Sequence, residues 1–267
     1  GNVTALKGRA CRTGAGHEEI PVAENNFAVG TQVDEQAHFV LVPDTGSQGT
    51  GGNVAAYIGA DIGCNQHRSH GIGRQTQILG KGKLLVICSG GLFARIDRKT
   101  CSADYFGRCN SYNPHSIAEL PDGRVACATS DGGQIVLVDP RKDPFDPAKQ
   151  PQKNAFPLKQ GHGVLWDAKA KCLWALGSTM IVKLEYLPET MELKEKGRWD
   201  FIADGCGNVG HDLIFAEDGN IVFTTRGTVS AFDVGNGTFK VLEKTADVKA
   251  ISYAKQGVLR TIPRESW

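Results

Sequence analysis

His211-Asp-Leu-Ile-Phe-Ala-Glu-Asp-Gly-Asn-Ile-Val-Phe-Thr-Thr225 decides the fold of this chain. Two short apolar runs flank Asp-Gly, the dipeptide that turns a chain back on itself in a tight hairpin. The pattern recurs upstream as His115-Ser-Ile-Ala-Glu-Leu-Pro-Asp-Gly-Arg-Val-Ala-Cys-Ala-Thr-Ser130. His162-Gly-Val-Leu-Trp-Asp167 opens in the same way, and residues 75–89 keep the pattern with Arg74 where the histidine stands elsewhere. A strand–turn–strand unit recurring every ~40–50 residues marks a repeat architecture.

Each unit reads as four strands. One runs His115–Leu120, Val125–Thr129, Gln134–Val138 and Ala155–Leu158, with a polar insertion from Pro140 to Lys153. The next reads Val164–Trp166, Leu173–Leu176, Met180–Tyr186 and Arg198–Ile202, and the one after it Asp212–Ala216, Ile221–Thr225, Thr228–Asp233 and Phe239–Leu242. The earliest of the four reads Thr76–Leu79, Leu84–Cys88, Leu92–Asp97 and Asp104–Phe106. Helical periodicity is nearly absent, and Leu187–Lys196, polar and containing Pro188, reads as a loop or strand edge.

Four strands per unit, with an Asp closing the third in three of them, predict the blade of a β-propeller. The unit starts are Arg74, His115, His162, His211 and Lys249, and the remaining chain leaves room for two further intervals. The expectation is one all-β domain over residues 1–267, a single propeller of six four-stranded blades. Five is the alternative if residues 1–26 lie outside the ring. Phe27–Thr31 and Phe39–Val42 would belong to the first blade. Val258–Ile262 would meet N-terminal chain in the closing one, which covers sheet edges otherwise left open.

Composition excludes several classes. With 40% hydrophobic and 22% charged residues the chain reads as an ordinary soluble domain, and its 33 glycines sit between apolar runs, as turns do. A net charge of +1 gives no reason to expect nucleic acid. No apolar stretch approaches the ~18 residues of a membrane span. The eight cysteines form no C-x-x-C pair. Cys88 and Cys127 fall in predicted strands as buried thiols. Cys101 and Cys109 are placed to pair, and Cys64, Cys109 and Cys206 sit in loops as disulfide partners, thiols or ligands. Nucleotide, hydrolase-elbow and H-E-x-x-H motifs are missing from the sequence.

In a propeller the first strand of each blade lines the central channel and begins at one mouth. His115, His162 and His211 would then converge there with Arg74 and Lys249. Imidazoles so placed can exchange protons, hold a divalent metal, or hydrogen-bond a polar ligand, and the cations favour an anion. Asn113, Asn208 and Asp212 are adjacent polar candidates for ligand contact, with turn chemistry as their other role. His67 and His70 form an H-x-x-H pair before the second blade, and His70 is an alternative channel residue to Arg74.

Asn113-Pro-His-Ser-Ile-Ala-Glu-Leu-Pro-Asp-Gly123, Gly161-His-Gly-Val-Leu-Trp-Asp167, Leu173-Trp-Ala-Leu-Gly177, Gly210-His-Asp-Leu213, Val248-Lys-Ala-Ile-Ser252 and Glu265-Ser-Trp267 together resemble a bacterial propeller family of unknown function. That resemblance covers about residues 75–267 and implies an exported, secreted or periplasmic, carbohydrate-associated protein. More distantly, the histidines are similar to those of oligogalacturonate lyases, which implies a uronate-containing ligand, a divalent metal and proton transfer. The expected partner is thus an oligosaccharide or other small anion bound by a monomer, with lyase or hydrolase activity as one reading. A non-catalytic glycan- or protein-interaction scaffold is the other.

Overall fold

The computed structural model describes residues 75–79, 82–88, 90–100, 102–254 and 257–262. The expected strands Phe27–Thr31 and Phe39–Val42 lie outside these residues. Within them the chain is all-β, apart from short 3-10 turns such as Pro147–Lys149.

Four antiparallel sheets follow one another along the chain, each a simple meander. The first contains β1 (Gln75–Leu79), β2 (Lys83–Ile87), β3 (Leu92–Asp97) and β4 (Ser102–Arg108). The second contains β5 (Pro114–Glu119), β6 (Val125–Thr129), β7 (Gln134–Val138) and β8 (Gln152–Pro157). The third is β9 (Gly163–Asp167), β10 (Cys172–Leu176), β11 (Met180–Leu187) and β12 (Glu192–Asp200), and the fourth is β13 (Gly210–Phe215), β14 (Ile221–Thr225), β15 (Val229–Asp233) and β16 (Thr238–Glu243). A pair, β17 (Ala250–Ala254) and β18 (Gly257–Thr261), follows. Such four-stranded sheets are consistent with propeller blades, and they are called blades below.

Burial explains why these strands lack the usual alternation of apolar and polar residues. Val-Ala-Cys-Ala-Thr of β6 and Cys-Leu-Trp-Ala-Leu of β10 are buried at every position. Each blade is covered on both faces, so both sets of alternate side chains must be apolar. In the second blade Ile117, Cys127 and Val136 pack with Leu85, Ile87 and Phe93 of the first. The opposite set, Ala118, Ala126, Ala128 and Leu137, packs with Leu173, Ala175, Val182 and Leu184 of the third. Across the next seam Trp174, Leu176 and Ile181 meet Leu213, Phe223 and Phe232.

Aspartates at strand ends make the turns. Asp97 accepts from the backbone N–H groups of Lys99 and Thr100, and Asp233 does the same for Gly235 and Asn236. The insertion before β8 is anchored to the preceding blade: Gln150 donates through Nε2 to the carbonyls of Phe106 and Asp143, each at 2.8 Å.

The outer strand of the third blade is β12, starting at Glu192, so of the two readings of Leu187–Lys196, loop or strand edge, it is the strand edge that holds. An outermost strand faces solvent, and β12 buries only Leu193 deeply, which is why it carried no apolar signal. Cys109 and Cys206 are core residues, at 1% and 0% exposure, and both are free thiols. Burial pushes the Cys206 and Cys127 thiols up, and Cys172 to about 11, so these behave as small apolar groups. Cys64 and Cys101 lie outside the described residues.

Candidate functional site

The first strands of successive blades pack beside one another, and the residues that open them form a file. The ring centroids of His115 and His162 are 4.2 Å apart, and those of His162 and His211 are 5.6 Å apart. Lys249 then places Nζ 2.8 Å from Nε2 of His211. Four consecutive first strands thus contribute one basic side chain each. All four side chains are half-buried.

A shared backbone device puts them there. Asn113, Gln160, Val209 and Asp247 all have positive φ, between 48° and 55°, and each lies two residues before the side chain in the file. Few non-glycine residues adopt that conformation, so its recurrence marks a built feature rather than a chance kink. His115 and His211 are also the extra residues of β-bulges: Pro114 pairs with Thr129 and Ser116 with Ala128, while Gly210 pairs with Thr225 and Asp212 with Thr224. A bulge re-aims one side chain out of the ladder.

The residue after each histidine closes the seam to the next blade. Ser116 Oγ accepts from the backbone N–H of Val164 at 2.9 Å. Asp212 Oδ2 accepts from that of Ile251, and Oδ1 from that of Leu213, both at 2.9 Å. At the equivalent place in the third blade stands Gly163, where a Cβ would sit 2.7 Å from Cβ of Leu213. Asp212, expected as a ligand contact, is therefore a buried clamp between strands. Asn113 serves the turn: its Nδ2 donates to Asp131 at 3.1 Å and its carbonyl accepts from Ser130 N–H. Arg74 and His70 lie outside the described residues.

Protonation follows from these contacts. An ammonium only donates, so His211 Nε2 accepts from Lys249 and the ring is neutral. Burial, with the positive charge of Lys249 next, lowers the His211 pKa from 6.5 to about 3. His162 Nδ1 lies 2.8 Å from the carbonyl of Gln160. A carbonyl only accepts, so Nδ1 carries a proton. Lys249 also approaches Asp247, at 3.6 Å. The divalent-metal expectation finds no support here: among the described residues no three His, Cys, Asp or Glu side chains are placed to hold an ion.

The His211 pKa has a consequence for stability. The unfolded ring takes up a proton below pH 6.5, whereas the folded one resists down to about 3. Stability present above pH 6.5 is therefore lost as pH falls through that window. Burial raises the pKa of Asp212, which acts in the opposite sense: its cost is relieved as pH falls through that raised value. Urea unfolding is expected to show a net loss of about 1–2 kcal/mol between pH 6.5 and 4.5, because solvent on the open side of the ring screens the full effect. Lys249→Met should shrink the loss.

Arg226, in the turn between β14 and β15, escapes sequence reasoning. It is exposed, and its backbone N–H donates to the carbonyls of Asn208 and Val209, immediately before His211. Its neighbourhood on the second-to-third-strand turn was the only available signal.

Residues 62–267 match a family described as a family of unknown function (DUF6528), and the chain belongs to that family. No curated protein matches it. Among solved structures, hydrazine synthase from Kuenenia stuttgartiensis is similar with a TM-score of 0.50 and 15% identity, over 68% of this chain and 53% of that one. Virginiamycin B lyase from Staphylococcus aureus has a TM-score of 0.45 and 14% identity, over 63% of this chain and 54% of that one. The chain thus spans about half of each of these proteins. At such identities the likeness bears on the fold alone. Among the described residues no helix is long and apolar enough to cross a membrane.

Proposed function

We propose that this family member is a six-bladed propeller that binds a small anionic ligand, a uronate-containing oligosaccharide, at the mouth where its first strands begin. The observation that carries this reading is the file His115–His162–His211–Lys249, one side chain from each of four successive first strands. Imidazole nitrogens at this spacing suit a run of sugar hydroxyls, and the ammonium suits a carboxylate. Arg74 would add a second cation from the preceding blade. Export to the periplasm or outside the cell agrees with such a ligand.

The same mouth bears on catalysis. A lyase needs a base near the sugar proton with a pKa close to the working pH. His211 is too weak a base for that role and is already engaged by Lys249. His162, with its tautomer set by Gln160, is the better candidate, and His115 lies against it. Binding without turnover defines the alternative, a glycan- or protein-interaction scaffold.

The test combines calorimetric titration with trigalacturonate and a turnover assay on a panel of acidic polysaccharides. Saturable binding is expected, weakened at least tenfold in His162→Ala. Product formation lost in that variant assigns the lyase reading, and binding without product assigns the scaffold. A native chain that binds no acidic saccharide contradicts the proposal.

A further inference from the structure

Beside His211 the structure holds a shallow depression lined by Ile202, Gly205, Gly207, Asn208, Arg226 and Gly227. Its wall is the loop that leads into β13, and its rim is the β14–β15 turn. Both are fixed in advance. Thr225 and Thr228 each donate a hydroxyl to the carbonyl of Cys206, at 2.8 and 2.6 Å, and Arg226 N–H holds the carbonyls of Asn208 and Val209. Gly207 has φ +81°, and a Cβ there would meet Thr225 Oγ1 at 2.6 Å, so only glycine fits.

Within this frame the polar groups have nothing to hold. Arg95, Arg124, Arg141, Arg198 and Arg260 each pair with a carboxylate. The Arg226 guanidinium and the Asn208 side chain have no partner among the described residues. The N–H groups of Gly205 and Cys206 are taken by the carbonyls of Ile202 and Phe201, and positive φ at Gly207 and Val209 curves the loop where the N–H groups of Gly207, Asn208 and Val209 have no acceptor among the described residues. A guanidinium carried on a held backbone, an amide and three loop N–H groups are all donors. Exposed Ile202 supplies an apolar surface next to them.

We infer that Arg226, Asn208 and the Gly207–Val209 backbone form an oxyanion subsite that receives a carboxylate of the ligand, next to the histidine file. The inference rests on the proposed binding of an acidic saccharide and names the group that recognises its charge. A planar guanidinium matches a carboxylate in two parallel hydrogen bonds, which an ammonium cannot do. Lys249, shared between His211 and Asp247, can offer a second carboxylate of the oligosaccharide only a single further contact. Ile202 would lie against the sugar's C–H face.

Calorimetric titrations of the full chain test this, with trigalacturonate, its neutral counterpart galactotriose, and inorganic phosphate as probes. Arg226→Gln is expected to weaken trigalacturonate at least tenfold and to leave any galactotriose affinity within twofold. Arg226→Lys should recover only about threefold of the loss, because charge alone is restored. Native-like trigalacturonate binding by Arg226→Gln overturns the subsite while the mouth proposal stands. Phosphate binding that Arg226→Gln abolishes, with no trigalacturonate binding by the native chain, supports the oxyanion subsite and rejects the uronate. A native chain that binds none of the three removes both readings. Thermal unfolding of each variant should match the native chain, since the side chain of Arg226 holds nothing in the fold.

Discussion

Asp212→Ala should unfold about 3 kcal/mol more readily than the native chain in urea. The carboxylate is 8% exposed as a residue and accepts two backbone N–H groups, one on its own strand and one on β17. Removing it leaves both donors buried and unpaired, at ~1–3 kcal/mol each. Burial also opposes its charge, so part of that loss is offset by no longer holding a carboxylate inside. Ser116 does the same work in the second blade with a hydroxyl. Asp212→Ser is therefore expected to recover most of the stability, at a residual cost of about 1 kcal/mol. If Asp212→Ala lies within ~0.5 kcal/mol of native, the clamp between first strands is not what joins these blades.

At the opposite end of the blades, Arg124→Ala should cost about 3 kcal/mol. Arg124 donates to Asp139 at 3.1 Å and to Asp122 at 2.8 Å, within the second blade. It also reaches the third blade through Tyr186 Oη at 2.9 Å and the carbonyl of Pro188 at 2.6 Å. Asp139 is 1% exposed; burial pushes its pKa up, but Arg141 and Arg124 together hold it down at about 2. Breaking a buried pair costs ~3–5 kcal/mol, and Arg141 remains on Asp139, which keeps the loss at the lower end. Asp139 stabilises the fold above its unfolded pKa of about 3.8, and that contribution goes as pH falls toward 2. A melting temperature unchanged in Arg124→Ala would show the network to be solvated and inert.

Much of the blade pattern was legible because it rests on local chemistry. Asp-Gly at 122–123 and 218–219 fixed hairpins, and the double-faced burial of β6 and β10 left unbroken apolar runs that periodicity detects. The histidines were legible as a repeated position. Their mutual distances were not, because they depend on how blades pack. Asp212 was misread as a ligand contact since a polar residue beside a site histidine looks the same from sequence whether it faces solvent or a neighbouring strand. The positive-φ residues escaped notice because Gln160 and Val209 belong to types that seldom adopt that conformation; packing imposes it. Arg226 is far from His211 in sequence and joins it through the Asn208–Val209 carbonyls, a tertiary contact with no local signature. The polar β12 shows the converse limit, a strand defined by its partner β11 rather than by its own residues.

On the proposed function, His115, His162 and His211 line one ligand-binding mouth. Nuclear magnetic resonance of the histidine rings, followed as trigalacturonate is added to the full chain, tests it most directly. All three ring signals are expected to move along one saturation curve, with His211 still neutral at pH 5. Saturation of the saccharide with the three rings unmoved, or with His211 titrating near pH 6.5, would contradict it.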